Sequence, residues 1–220
     1  MIRLNYFPGN ASMAPHIALL ELGLRFELVK VDREAGAHKA PAYLKLNPNG
    51  LIPVLEDGDL VLYETAAILM HLADAHPQAG LAPPALGSAE RAQYYKWMVW
   101  LSNTLQAALI RYFYPERLVA AGDAAGAAQV KAITQARIGE MLGQLDAQLA
   151  AHGQPWLLGE RYTVTDALAF MLCRWTRGFS GPAAPPARAF PHLGPYLQRM
   201  LARPAVQRVF AAEGLAEPWV

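Results

Sequence analysis

One cysteine, Cys173, occurs in 220 residues. An intramolecular disulfide is therefore excluded, and so is any metal site built on a cysteine cluster. Charge is also scarce: Asp, Glu, Lys and Arg make up 17% of the chain, with 19 basic against 18 acidic residues and a formal net charge of +1. The basic residues are scattered and form no stripe, which argues against nucleic acid as a partner. No uncharged run approaches the roughly 18 residues needed to cross a bilayer, so no membrane span is expected. Met1-Ile2-Arg3-Leu4 runs directly into a strand pattern with no charged and apolar leader, and cytoplasmic residence is the expectation. Hydrophobic residues make up 54%, enough for a large core and against disorder.

The chain changes character near residue 80. Before it, short strand and helix patterns alternate. Residues 3–7 suit a strand, 14–22 a helix closed by Gly23, and 26–31 alternate at period two. Residues 40–46 read as a short helix or turn, 54–62 as a hairpin with Asp57-Gly58 at its tip, and about 64–75 as a helix. This order predicts a compact α+β domain over 1–78. A Pro/Gly-rich connector follows over 79–87, and helical spacing then dominates 88–220. Long helices are expected over 88–113 and 124–150, a third over 163–177, and short ones near 192–202 and 204–212. Thr163-Val164-Thr165-Asp166 is a capping box whose role is structural.

Two stretches, "NPNGLIPVLEDGDLVLYETAAIL" (47–69) and "LLGERYTVTDALAF" (157–170), carry a specific pattern. With the opening loop "PGNASMAPHIALLELGLRFELVKVD" they resemble the cytosolic glutathione transferase family, and most of all its bacterial beta class. The resemblance spans the whole chain. It implies a thioredoxin-like N-terminal domain followed by an all-α helical-bundle domain, usually assembled as a homodimer. It also implies glutathione as co-substrate, no metal, and a small-molecule electrophile as the partner.

The family's motifs map onto named residues. Ile52-Pro53 would turn the Ile52 backbone outward to pair with the cysteinyl part of glutathione as an added strand. An ordinary turn proline is the plain alternative. Glu64 and Thr65, at a helix start, would take the γ-glutamyl ammonium and carboxylate, or else merely cap and charge-compensate the helix. His38, with Lys39, stands where related classes supply a cation for the glycine carboxylate, although a solvated loop explains "GAHKAP" equally well.

The chain departs from the beta class at two places. Ala11 stands where the loop cysteine is expected, and Gln106 where a histidine usually follows on the first long helix. Ala11 cannot be a nucleophile. A thiol near pKa 8.5 is mostly protonated at neutral pH, so a transferase needs donors aimed at sulfur. Three remain: the Ser12 hydroxyl and the Asn10 amide on equal terms, then Tyr6 at the strand end. Their plainer roles are an N-cap, a turn residue and a packed core ring. The electrophile pocket is expected between the domains, walled by Phe7, Met13 and the first long helix, with Tyr112, Phe113 and Trp175 as further candidates. Trp97, Trp100, Tyr94 and Tyr95 fit a dimer seam. Other readings remain: a non-catalytic binding or regulatory protein on the same fold, and a glutathione-dependent isomerase or dehalogenase.

Overall fold

The computed structural model describes residues 1–180 and 184–220. Its first part opens with β1 (Ile2–Tyr6), α1 (Met13–Glu21) and β2 (Phe26–Lys30). A short α2 (Pro41–Leu44), the hairpin β3 (Val54–Asp57) and β4 (Leu60–Tyr63), and α3 (Thr65–Ala75) complete it. The sheet order is β2-β1-β3-β4, with β2 parallel to β1 and β3 antiparallel to both its neighbours. Leucines 4 and 55 face α1 and α3 and enter the main core. Val31, Tyr43, Ile52 and Val54 form a smaller cluster on the opposite face. The hairpin register pairs Asp57 with Leu60, so its two-residue loop is Gly58-Asp59, one position later than the expected tip.

The helical part contains α4 (Ala89–Trp100), a π-helical segment (Leu101–Gln106), α5 (Ala107–Phe113), α6 (Ala124–His152), α7 (Val164–Trp175), α8 (Leu193–Leu201) and α9 (Pro204–Glu213). The helix expected over 88–113 is thus interrupted by wider turns ending at Gln106, where a lone periodicity argument sees a regular helix. At the start of α7, the Asp166 carboxylate accepts from Thr163 N at 2.8 Å, Thr163 Oγ1 at 3.2 Å, Leu157 N at 2.9 Å and Tyr196 OH at 3.2 Å. Complete burial nevertheless pushes this carboxyl up to about 6, because desolvation outweighs the donors.

The two parts are tied by a part-buried ion pair as well as by a continuous core. Arg91 pairs with Asp74 of α3 and donates to the Pro83 carbonyl at 2.9 Å and the Tyr95 hydroxyl at 2.9 Å. Its side chain is buried, and the pair it makes joins α4 to α3. The seam expected from aromatic residues is also corrected. Tyr94 and Trp97 are buried within their own chain, Trp100 is partly buried, and the large hydrophobic residues exposed on this helix are Tyr95 and Val99. Met13, expected to wall the electrophile pocket, lies wholly inside the main core. Cys173 is a core thiol, pushed up to about 12 by burial.

Candidate active site

Sheet register brings the separated motifs together. Tyr6 pairs with Lys30, Asn5 with Val54, and Val54 with Tyr63. The ends of β1 and β2, the start of β3 and the end of β4 therefore share one edge of the sheet. From that edge emerge the loop 7–12, the segment carrying His38, Ile52-Pro53, and Glu64-Thr65. The predicted site residues, spread over sixty positions, sit at one end of four strands.

The Ile52–Pro53 peptide is cis, and both residues are buried. The N–H and C=O of Ile52 make no hydrogen bond among the described residues, so they remain available to a strand-like ligand. Side chains that sequence reasoning passed over hold this segment. The Leu51 carbonyl accepts from Tyr43 Oη and Asn47 Nδ2, each at 2.9 Å, and Asn47 Oδ1 accepts from Asn49 N at 3.0 Å. Gly50 is required by space as well as by its φ of +59°. A Cβ there would lie 2.8 Å from the His38 carbonyl and 2.8 Å from Lys39 Nζ. This close approach packs the His38 turn against the segment before Ile52.

Glu64 has φ +74° and is the one non-glycine residue with positive φ among the described residues. Its exposed side chain makes no capping hydrogen bond to α3. Strain of this kind, at about 1–3 kcal/mol, persists where the surroundings over-determine the backbone, and it concentrates at ligand clamps. Thr65 opens α3 and is buried. The first-turn amides of α3 lack a side-chain partner and point out of the helix end beside it.

In the loop after β1 the three expected sulfur donors separate. Ser12 is 0% exposed, and its hydroxyl donates to the Phe7 carbonyl at 3.1 Å and accepts from Phe7 N–H at 3.2 Å. A hydroxyl has one proton to donate, so Ser12 braces the loop and cannot also hold a thiolate. Asn10 keeps its amide free: Oδ1 accepts from Ala11 N–H, and Nδ2 makes no hydrogen bond among the described residues. Gly9, not Asn10, takes the left-handed turn position, at φ +68°. Tyr6 is half-buried on the α1 side, its ring 6.4 Å from that of His16, and its hydroxyl is likewise unbonded among the described residues.

His38 does not bring a standing positive charge. Burial foremost, then the charges of Lys39 and Arg33, hold its pKa below the ordinary 6.5, and its Nδ1 is buried without a partner. Lys39 is also engaged, donating from Nζ to the Asn49 carbonyl at 3.1 Å. A cavity of about 760 Å³ lies away from all of these residues, between the connector, the start of α4 and the segment before α7.

Two family models match the chain: "Glutathione S-transferase, N-terminal domain" over residues 1–74 and "Glutathione S-transferase, C-terminal domain" over residues 101–204. Glutathione S-transferase GstA of Escherichia coli O157:H7 is 30% identical over 217 residues, covering 97% of this chain and all of that protein. The chain belongs to the glutathione S-transferase family. Within it, glutathione S-transferase GST-4.5 of Xanthomonas campestris is 33% identical over 212 residues, 94% of this chain and 97% of the relative. Among solved transferases, a Sulfitobacter glutathione transferase homologue with bound glutathione superposes with a TM-score of 0.85 at 28% identity, covering 98% and 99% of the two chains. The bacterial beta class glutathione S-transferase of Sphingomonas chungbukensis gives 0.79 at 32% identity, covering 97% and 100%. No helix among the described residues of this transferase is long and apolar enough to cross a membrane.

Proposed function

We propose that this chain binds glutathione at the edge of the sheet, stabilises its thiolate and transfers it to a small hydrophobic electrophile. The observation that carries the reading is the convergence of three unsatisfied features: the free Ile52 backbone, the strained Glu64 beside the open start of α3, and the free Asn10 amide. In this reading Ile52, with Pro53 behind it, pairs with the cysteinyl backbone as an added strand. Thr65 and the α3 amides take the γ-glutamyl carboxylate, and Glu64 takes the neighbouring ammonium.

His38 donates from its neutral ring to the glycine carboxylate. Asn10 Nδ2 points its N–H at sulfur, with the Tyr6 hydroxyl as second donor, and hydrogen bonding to the thiolate lowers the thiol pKa. The thiol proton leaves to water, sulfur attacks the electrophilic carbon, and the leaving group departs with the electron pair of the bond it breaks. Homodimeric assembly and cytoplasmic residence belong to the same reading. They rest on the family and, for the dimer, on the exposed Tyr95 and Val99.

A second reading, glutathione binding without conjugation, is favoured by Ala11 and by the engaged Ser12 hydroxyl. Calorimetric titration with reduced glutathione tests both. Binding by the wild type, lost in Glu64→Ala with the fold intact, supports the site. A folded wild type that binds no glutathione overturns both readings, and bound glutathione whose thiol keeps its solution pKa leaves only the second.

A further inference from the structure

Three cations near the end of α5 lie against aromatic rings and have no acidic partner. The Arg117 guanidinium is 4.0 Å from the centroid of the Tyr114 ring. Arg33 is 5.8 Å from the same centroid and donates from Nη2 to the Tyr114 hydroxyl. The Lys131 ammonium, on α6, is 5.0 Å from the Tyr112 centroid. None of the three forms an ion pair among the described residues. Two other ring-stacked arginines behave differently, since Arg91 closes its charge on Asp74 and Arg203 on Glu21. Lys96 and Arg174 also stack on rings without an ion pair, but each stands alone.

The ring beneath Lys131 belongs to a continuous aromatic run, and Tyr114, two residues further along the chain, carries the other two cations. Tyr112 meets Phe113 at 5.2 Å and Phe179 at 4.5 Å, and Phe113 meets Trp175 edge-on at 6.3 Å. Phe113 is exposed, and Tyr112, Tyr114 and Trp175 are half-buried, so much of this wall faces solvent. Arg33 lies in the segment between β2 and His38. Its bond to Tyr114 therefore sets the wall beside the sheet end that carries Asn10, Ile52 and Glu64.

A cation over a ring is attracted by the quadrupole of the π face, which uses none of its N–H donors. The donors stay available for an anion, and a guanidinium presents them as a planar fork suited to carboxylate. Flat exposed rings next to those donors offer a stacking surface for another aromatic ring.

Resting on the transferase reading above, we infer that the electrophile subsite is this aromatic wall and that it selects aromatic electrophiles bearing a carboxylate. The substrate ring stacks on Phe113 and Trp175, and Arg117 and Lys131 hold its carboxylate, with Arg33 at the domain junction. For an aryl halide of this class, the glutathione sulfur forms a bond to the ring carbon, the carbon–halogen bond breaks, and halide leaves with its electron pair. The thiol proton passes to water.

The test uses inert product mimics, so it does not depend on turnover. Calorimetry compares glutathione, S-benzylglutathione and S-(4-carboxybenzyl)glutathione on the wild type and on the double variant Arg117→Met, Lys131→Met. The wild type is expected to bind the carboxylated mimic about fivefold more tightly than the benzyl one, the size expected of two exposed charge pairs. That preference should shrink with ionic strength and vanish in the double variant. Equal affinity for the two mimics, in a protein that binds glutathione, overturns the subsite and leaves the transferase reading standing. A preference that survives in the double variant also overturns it. Failure to bind glutathione itself overturns the reading beneath it as well.

Discussion

Glu213 of the last helix and Gly9 of the first loop, 204 positions apart, are joined by a hydrogen bond of 2.8 Å from the Gly9 N–H to Glu213 Oε2. The other carboxylate oxygen lies 2.9 Å from His16 Nδ1, and both side chains are buried. The end of the chain thereby braces the loop that carries Asn10. Glu213→Ala would leave a buried imidazole and a backbone amide without their acceptor, and should destabilise the fold by about 3 kcal/mol. Glu213→Gln keeps one acceptor oxygen and should cost less. Denaturant unfolding measures both, and a change within about 0.5 kcal/mol for Glu213→Ala would remove the brace from the account.

Glu64 separates binding from stability. Glycine at this position relieves the cost of φ +74°, although its greater freedom in the unfolded chain takes back about 0.5–1 kcal/mol. Glu64→Gly should therefore be as stable as wild type or more so, by up to about 1 kcal/mol, while losing glutathione. Glu64→Ala keeps the strain and should lose the ligand without the gain. A loss of stability in Glu64→Gly would mean the backbone is not strained there.

Asn10 and Ser12 are distinguished by what their side chains already do. Asn10→Ala should raise the pKa of bound glutathione by about one unit, read from thiolate absorbance against pH. Ser12→Ala should leave that pKa where it is and instead lower stability by about 1–2 kcal/mol, because two groups of Phe7 lose their partner. If Asn10→Ala leaves the thiol unmoved, Tyr6→Phe is the next variant and should move it.

The depressed pKa of His38 gives affinity a pH dependence of definite sign. Binding a carboxylate raises the pKa of the ring, so the complex takes up a proton as pH falls. With S-methylglutathione, which has no thiol to titrate, affinity should be flat well above the ordinary imidazole range and rise as pH falls into and below it. His38→Gln should abolish the slope. A flat wild-type profile would detach His38 from the glycine end.

Much of the architecture is visible along the chain because it depends on interactions between near neighbours. The strand alternation of 26–31, the glycine after α1, the capping box at Thr163 and the break near residue 80 all reflect turn chemistry and side-chain period. The segments 47–69 and 157–170 carry enough of these signals in order to identify the family. They also point to Ile52, Pro53, Glu64 and Thr65 as residues that share one site.

What the local pattern does not carry is which face of a residue meets which distant partner. Ser12 reads as a free helix-entrance hydroxyl, and only the return of the loop on Phe7 engages it. Tyr94 and Trp97 have the spacing of a surface seam, and the packing of α4 within the chain buries them. The positive φ of Glu64, the bond from Gly9 to Glu213 and the stacked cations around Tyr114 leave no trace in composition or period. By itself the sequence determined the order of elements and the family, through propensities and turns acting over a few residues. Tertiary structure alone decided which donors remain free for a ligand. That is a question of which polar groups burial leaves unpartnered, and it is answered only when segments hundreds of residues apart are packed.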